Sequence, residues 1–149
     1  MRTLATIGYQ ATTMENFLGA LRAAGVDLLV DVRAVASSRR PGFSKTALAA
    51  NLRGAGIDYL HLRALGTPAE GRVAARAGRH QAMREIFLDH METSAARAEL
   101  AALADLVGSR HVCILCFEAD PAHCHRSIVA SELARLRPVR VHHLRPEEA

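Results

Sequence analysis

The chemically densest stretch of this chain is Cys116-Phe117-Glu118-Ala119-Asp120-Pro121-Ala122-His123-Cys124-His125-Arg126, which holds two of the three cysteines. Asp is a good N-cap and Pro a good first helical residue, so the stretch predicts a helix from about Asp120-Pro121 through Leu136. Cys124 then falls in or beside the first turn, where unpaired backbone N–H groups and the helix dipole favour an anion. A thiol in that position ionises more readily than a free one, and neighbouring His125 or Arg126 pushes it the same way. Two readings stand. Either Cys124 is a reactive thiolate, or Arg126 and the helix start hold a bound phosphate, on the functional side; on the structural side, Cys124 is a small buried residue and Arg126 pairs with Asp31 or Glu118.

Cys116, His123, Cys124 and His125 are all suitable metal ligands, but their spacing argues against a metal site. His123, Cys124 and His125 are consecutive, and consecutive helical residues point in different directions, whereas a structural zinc site draws on two separated ligand pairs. The expectation is therefore neither metal nor cofactor. Cys113 and Cys116 form a C-x-x-C by pattern, yet on a strand they project to opposite faces, which excludes a thioredoxin-like dithiol.

A second cluster is Asp31-Val32-Arg33 followed by Ser37-Ser38-Arg39-Arg40-Pro41-Gly42-Phe43-Ser44. Asp31 and Arg33 share strand parity and face one crevice, and Arg39 and Arg40 lie on a loop able to fold over it. Arginine forks suit bidentate recognition of phosphate or carboxylate; a structural Asp31–Arg33 pair with solvated Arg39 and Arg40 is the simpler alternative. His61 suits a general acid or base, or a satisfied half-buried histidine. Tyr9 is equally open between a ligand contact and ring packing. Arg72, Arg76 and Arg79 would share one face if residues 69–79 were helical, a stripe able to lie along nucleic acid, though no aromatic residue interleaves for base stacking. No Gly-x-Gly-x-x-Gly or Walker-type loop is present.

The elements that must position these residues follow from periodicity. Leu4–Ile7 reads as a short strand stopped by Gly8, and Thr12 or Thr13 caps a helix through Met14, Phe17, Leu18 and Leu21. Val26–Val32 suits a strand buried on both faces. Ser44 caps a second helix to Gly54 or Gly56, and Ile57–Leu62 suits a third strand. Residues 63–79 show no confident periodicity and read as a long excursion. Met83, Ile86, Phe87, His90 and Met91 mark a helix, and Leu100, Leu103, Leu106 and Val107 another. Val112–Phe117 is the most apolar strand, and Val139–Leu144 closes the sheet as an edge strand. This order implies a three-layer α/β fold, a mostly parallel sheet of about five strands with helices on both faces. In such sheets ligands bind outside the carboxyl ends of the strands, which selects Gly8 and Tyr9, Asp31 to Arg33, His61 and Cys116 to Glu118.

Composition fits this frame. The 149 residues are 50% hydrophobic and 23% charged, without Trp, which suits a single domain over residues 1–149 and excludes disorder, collagen-like repeats and a disulfide scaffold. Lys45 is the single lysine among 19 Lys and Arg residues, so the +4 net charge rests on permanently charged guanidinium forks. An odd cysteine count, no signal-peptide pattern and no membrane-length apolar run lead to the expectation of a cytoplasmic protein without membrane contact. The oligomeric state is not legible.

Read together, Thr6-Ile7-Gly8-Tyr9, Val30-Asp31-Val32-Arg33, Ser38-Arg39-Arg40-Pro41-Gly42-Phe43-Ser44, Tyr59-Leu60-His61-Leu62-Arg63-Ala64-Leu65-Gly66 and Leu115-Cys116-Phe117-Glu118 with Cys124-His125-Arg126 resemble the domain of unknown function 488 family. The resemblance runs from residue 6 to about 136. It implies a cytoplasmic protein and puts Gly8, Tyr9, Asp31, Arg33, Arg39, His61, Cys116, Glu118, Cys124, His125 and Arg126 on motif positions, without implying a reaction. Gln10 stands where a small hydroxyl residue is usual, and Ala34-Val35-Ala36 lacks the Pro often found after Asp-x-Arg.

The leading expectation is an anion-binding, enzyme-like domain for a phosphorylated small molecule or nucleotide. Arg33, Arg39 and Arg126 are its clamps, beside Gly8 and Tyr9; Cys124 is the nucleophile or redox thiol, His125 or His61 its acid/base partner, and Asp31 or Glu118 the orienting carboxylate. The alternatives are a non-enzymatic module that binds nucleic acid or protein, and a metal-dependent Cys/His site.

Overall fold

The computed structural model describes residues 1–149. Its apolar runs form strands β1 (Arg2–Gly8), β2 (Leu28–Asp31), β3 (Asp58–His61), β4 (Val112–Cys116) and β5 (Val139–His143). All pairings are parallel, in the order β3-β2-β4-β1-β5. The helices between them are α1 (Met14–Ala23), α2 (Lys45–Gly54), α3 (Ala69–Arg76), α4 (His80–His90), α5 (Ser94–Val107) and α6 (His125–Leu136). Thr13 caps α1 by accepting from the Asn16 N–H, and Thr93 caps α5 by accepting from the Ala96 N–H, each satisfying a donor that the first turn leaves free.

The fold is three-layered. Period-2 alternation splits the strand residues between two cores, as a pleated strand requires. Ile7, Leu29, Cys113 and Leu115 pack with Phe17 and Leu21 of α1 and Leu48 and Leu52 of α2. Leu4, Leu28, Val30, Val112 and Ile114 pack on the other side with α3 to α6, through side chains such as Phe87, Leu100, Leu103 and Val129. No helix is long and apolar enough to cross a membrane.

Connections leaving β1 and β2 run over the α1/α2 face toward β3; those leaving β3 and β4 run back over the opposite face. Neighbouring strands β1 and β4 thus send their chains to opposite sides, and a crevice opens between their carboxyl ends.

Two expectations are corrected. Residues 63–79 are not an unstructured excursion: Arg63–Leu65 form a 3-10 turn and α3 covers Ala69–Arg76. That helix buries only Gly71 and Ala74, so no apolar stripe announces it. Asp120 does cap Pro121, its carboxylate accepting from the Ala122 N–H at 2.9 Å, but it caps a 3-10 turn, Pro121–His123, and α6 starts at His125. Cys124 is therefore not helical. It is the N-cap of α6, with extended backbone (φ −130°, ψ 144°).

Candidate functional site

The crevice at the strand ends widens into a cleft of about 510 Å³, within the usual range for small-molecule sites. Tyr9, Arg33 and Phe117 flank it, Ala34, Val35, Ser37 and Ser38 form one lip, Thr67, Arg72 and Arg76 the other, and Cys116, Glu118 and His125 lie at its base, with half-exposed His123 also on the lining. Two glycines permit this closeness. A Cβ at Gly8 would lie 1.8 Å from the Glu118 carbonyl oxygen, and one at Gly66 would lie 2.3 Å from the Ala34 nitrogen, both impossible contacts with backbone. Gly8 thus serves to let the β4–α6 loop cross β1. It does not itself line the cleft.

At the base, β4 delivers Cys116 and the N-terminus of α6 delivers Cys124, His125 and Arg126. The two sulfurs, Cys116 Sγ and Cys124 Sγ, are in disulfide contact across a Cα–Cα distance of 7.2 Å. Cys113 is fully buried on the opposite face of β4, where burial pushes its thiol up; the parity argument against a Cys113–Cys116 pair thus agrees with the geometry. His125 Nε2–H donates to the Val32 carbonyl at 2.7 Å, so in the neutral ring Nδ1 carries the lone pair, and Nδ1 faces Cys124 Sγ at 3.8 Å. Burial pushes the imidazole down to about 4, leaving it neutral near pH 7.

Arg126 is completely buried, yet no carboxylate lies within ion-pair distance. Its Nε donates to Thr6 Oγ1 at 3.1 Å, Nη1 to the Glu118 carbonyl at 2.5 Å and to Cys116 Sγ at 3.2 Å, and Nη2 to the Ala119 carbonyl at 3.2 Å. Burial drives its pKa down to about 10. The Glu118 carboxyl stands on the other side of Cys116, Oε2 at 3.5 Å from Sγ, and burial raises its pKa. Gln10, the residue that departs from the family pattern, ties the loops together by accepting from the Ala119 N–H.

Asp31 and Arg33 occupy the strand-end position expected of them but face each other. Arg33 Nε and Nη2 bind Asp31 Oδ1 and Oδ2 at 2.9 and 2.7 Å, and Nη1 donates to Tyr9 OH at 3.0 Å and the Phe43 carbonyl at 2.8 Å. The Tyr59 hydroxyl donates to the second carboxylate oxygen at 2.6 Å. Four of Arg33's five donors are thus committed within the chain, and Asp31 orients Arg33, not a cysteine or histidine of the base. His61 Nε2 hydrogen-bonds the Arg33 carbonyl at 2.7 Å, which holds the strand end, and it is absent from the cleft lining. Arg39 is exposed and likewise outside the lining, while its neighbour Arg40 turns away to the Thr12 carbonyl.

Three arginines line the cleft, Arg33, Arg72 and Arg76; Arg33 is committed to Asp31, Tyr9 and Phe43, which leaves Arg72 and Arg76, one helical turn apart on α3, as the less committed pair. Arg72 spends one donor on the Thr67 carbonyl, and neither side chain has an ion-pair partner. Their spacing was visible in the sequence, but with Arg79 as a third member of a nucleic-acid stripe. Arg79 lies beyond α3 as the N-cap of α4, so the stripe ends at Arg76.

A family model described as Domain of unknown function DUF488 matches residues 13–133. No curated protein and no solved structure matches the chain.

Proposed function

This chain belongs to the DUF488 family, and from its cleft we propose an enzyme-like domain that binds a phosphorylated or otherwise anionic small molecule and presents it to the thiols at the base. The observation that carries this reading is the position of Arg72 and Arg76: two cations with uncommitted donors on the wall of the cleft that Cys116 floors. Guanidinium forks grip phosphate bidentately, and a partly enclosed cleft strengthens that grip by excluding water. His123 and the Ser37, Ser38 and Thr67 hydroxyls add donors on the same lining. Arg33, Arg39 and Arg126, the clamps selected by motif and strand position, support the reading less, because two are committed internally and the third lies outside the lining.

Division of labour at the base follows from its contacts. Arg126 lacks a counter-charge and donates to Cys116 Sγ, so a thiolate on Cys116 balances it. His125, its Nδ1 free, faces Cys124 at 3.8 Å as a neutral lone pair that orients that thiol. Glu118 is the carboxyl beside Cys116 Sγ.

Calorimetric titration with pyrophosphate and nucleoside diphosphates at low salt tests the proposal. Binding is expected to weaken about 10-fold or more in the Arg72→Ala/Arg76→Ala double variant, each charged hydrogen bond being worth roughly 1.5–3 kcal/mol. Absence of binding, or binding indifferent to the double substitution, overturns it. The competing reading, a nucleic-acid module, requires retardation of a DNA or RNA fragment that disappears steeply between low and moderate salt.

A further inference from the structure

We propose that in the reduced chain Cys116, Cys124 and His125 bind one thiophilic divalent cation of the Zn²⁺ class, with a fourth coordination position turned toward the cleft. The three ligand atoms, Cys116 Sγ, Cys124 Sγ and a His125 ring nitrogen, all lie within 4.8 Å of one another. Around a tetrahedral zinc, bonds of about 2.3 Å to sulfur and about 2.0 Å to nitrogen place neighbouring ligands roughly 3.5–3.8 Å apart. Cys124 Sγ and His125 Nδ1 stand 3.8 Å apart.

The spacing objection to such a site assumed that Cys124 and His125 were consecutive helical residues. Cys124 is extended and His125 begins α6, so the two side chains converge, while β4 supplies the separated third ligand. His123 takes no part: it is half exposed, beside Asp120 and stacked on His80. The Cα atoms of Cys116 and Cys124 are 7.2 Å apart, which leaves room for the two sulfurs to part from contact to the roughly 3.8 Å separation that a tetrahedral cation requires.

The surroundings complete the site. His125 is oriented by the Val32 carbonyl at 2.7 Å and by the edge-on ring of Phe87 at 5.2 Å, the outer support that fixes which nitrogen of a ligating histidine faces the metal. Arg126 Nη1 donates to Cys116 Sγ, a hydrogen bond that a metal-bound thiolate retains. Two thiolates and one divalent cation sum to zero, so the metal would add no net charge to a base that already buries the Arg126 guanidinium. Cys116 and His125 both line the cleft, which puts the open position on its side. Binding forms two sulfur–metal bonds and releases two thiol protons, without electron transfer. The disulfide contact and the cation are alternative uses of the same sulfurs.

The test is anaerobic titration of Co²⁺ into the full chain after reduction and metal stripping. One Co²⁺ per chain is expected, with the sulfur-to-cobalt charge-transfer band and the intense ligand-field bands of a tetrahedral site, and Zn²⁺ displaces it. Cys116→Ser and Cys124→Ser each remove one sulfur–cobalt bond and are expected to lower the charge-transfer intensity to about half and to weaken binding on the order of 100-fold, and His125→Gln weakens it about 10-fold or more, since even outer-shell losses cost 10–100-fold. Cys113→Ser and the Arg72→Ala/Arg76→Ala double variant leave binding unchanged, which separates this proposal from the anion reading. Chain oxidised with excess oxidised glutathione binds none. Should a cysteine variant fail to fold, the wild-type chain still answers: Zn²⁺ is expected to protect Cys116 and Cys124 from maleimide labelling, mapped by mass spectrometry. A spectrum unchanged by Co²⁺ in the fully reduced chain, or undiminished charge-transfer intensity and affinity in either serine variant, or labelling indifferent to Zn²⁺, overturns it.

Discussion

Two guanidinium groups are buried in this molecule, and their surroundings are opposite. Arg33, 6% exposed, grips Asp31 with two hydrogen bonds; burial opposes its charge, but Asp31 more than offsets that and holds its pKa above the ordinary arginine value. Arg126, 0% exposed, meets a hydroxyl, two carbonyls and a sulfur, and burial lowers its pKa to about 10. The first is a neutralised strut that fixes the end of β2. The second keeps a net charge in the interior, which a fold without further use for it would have paired or replaced by an apolar side chain. Position at a strand end or helix start therefore does not make an arginine a clamp. The accounting of its donors does.

Breaking the strut gives the largest effect. Asp31→Asn leaves Arg33 buried without its counter-charge and is expected to lower stability by about 3–5 kcal/mol, read from the urea midpoint at unchanged slope. A loss below about 1 kcal/mol would mean that the pair contributes little and the contrast with Arg126 is false. Next comes Gly8→Ala, whose added methyl meets the same Glu118 carbonyl to which Arg126 donates. It is expected to cost roughly 1–3 kcal/mol, as overpacking does, and to accelerate amide exchange in the β4–α6 loop. The smallest change in stability belongs to Arg126→Met, which strands carbonyls but no charge: about 1–2 kcal/mol. Its sharper readout is chemical, since the rate of iodoacetamide capture at Cys116 in the reduced chain should fall about 10-fold near neutral pH, the equivalent of one pKa unit. Arg126→Lys should recover part of that rate. Equal capture rates in all three proteins would reduce Arg126 to packing.

The sheet was legible because its signals are local. Apolar alternation and Gly8 mark where strands stop, and those strand ends select Asp31, Cys116 and Glu118; Asp120-Pro121 marks a cap, but of a 3-10 turn ahead of the helix. Tertiary facts were not legible. Nothing in Asp31-Val32-Arg33 says that Tyr9, Phe43 and Tyr59 close around the pair, and nothing around His61 says that its ring props a carbonyl. α3 escaped for a different reason: it buries only small residues and has no side-chain cap, so it lacks both marks by which a helix declares itself. The extended backbone of Cys124 escaped because a 3-10 turn and an α-helix begin with the same capping residues.

That undersized helix has a dynamic consequence. α3 spans eight residues and draws its hold mainly from Gly71 and Ala74, whereas the opposite side of the cleft is knotted by Arg126 to Thr6, Glu118 and Ala119. Segments with few buried apolar contacts open at low free energy, and short helices are marginal without them. The base of the cleft is thus tied by more hydrogen bonds than the wall that carries Arg72 and Arg76. If the cleft binds an anion as proposed, part of the binding energy would go into ordering α3, and affinity would be adjustable by substitutions that touch no ligand.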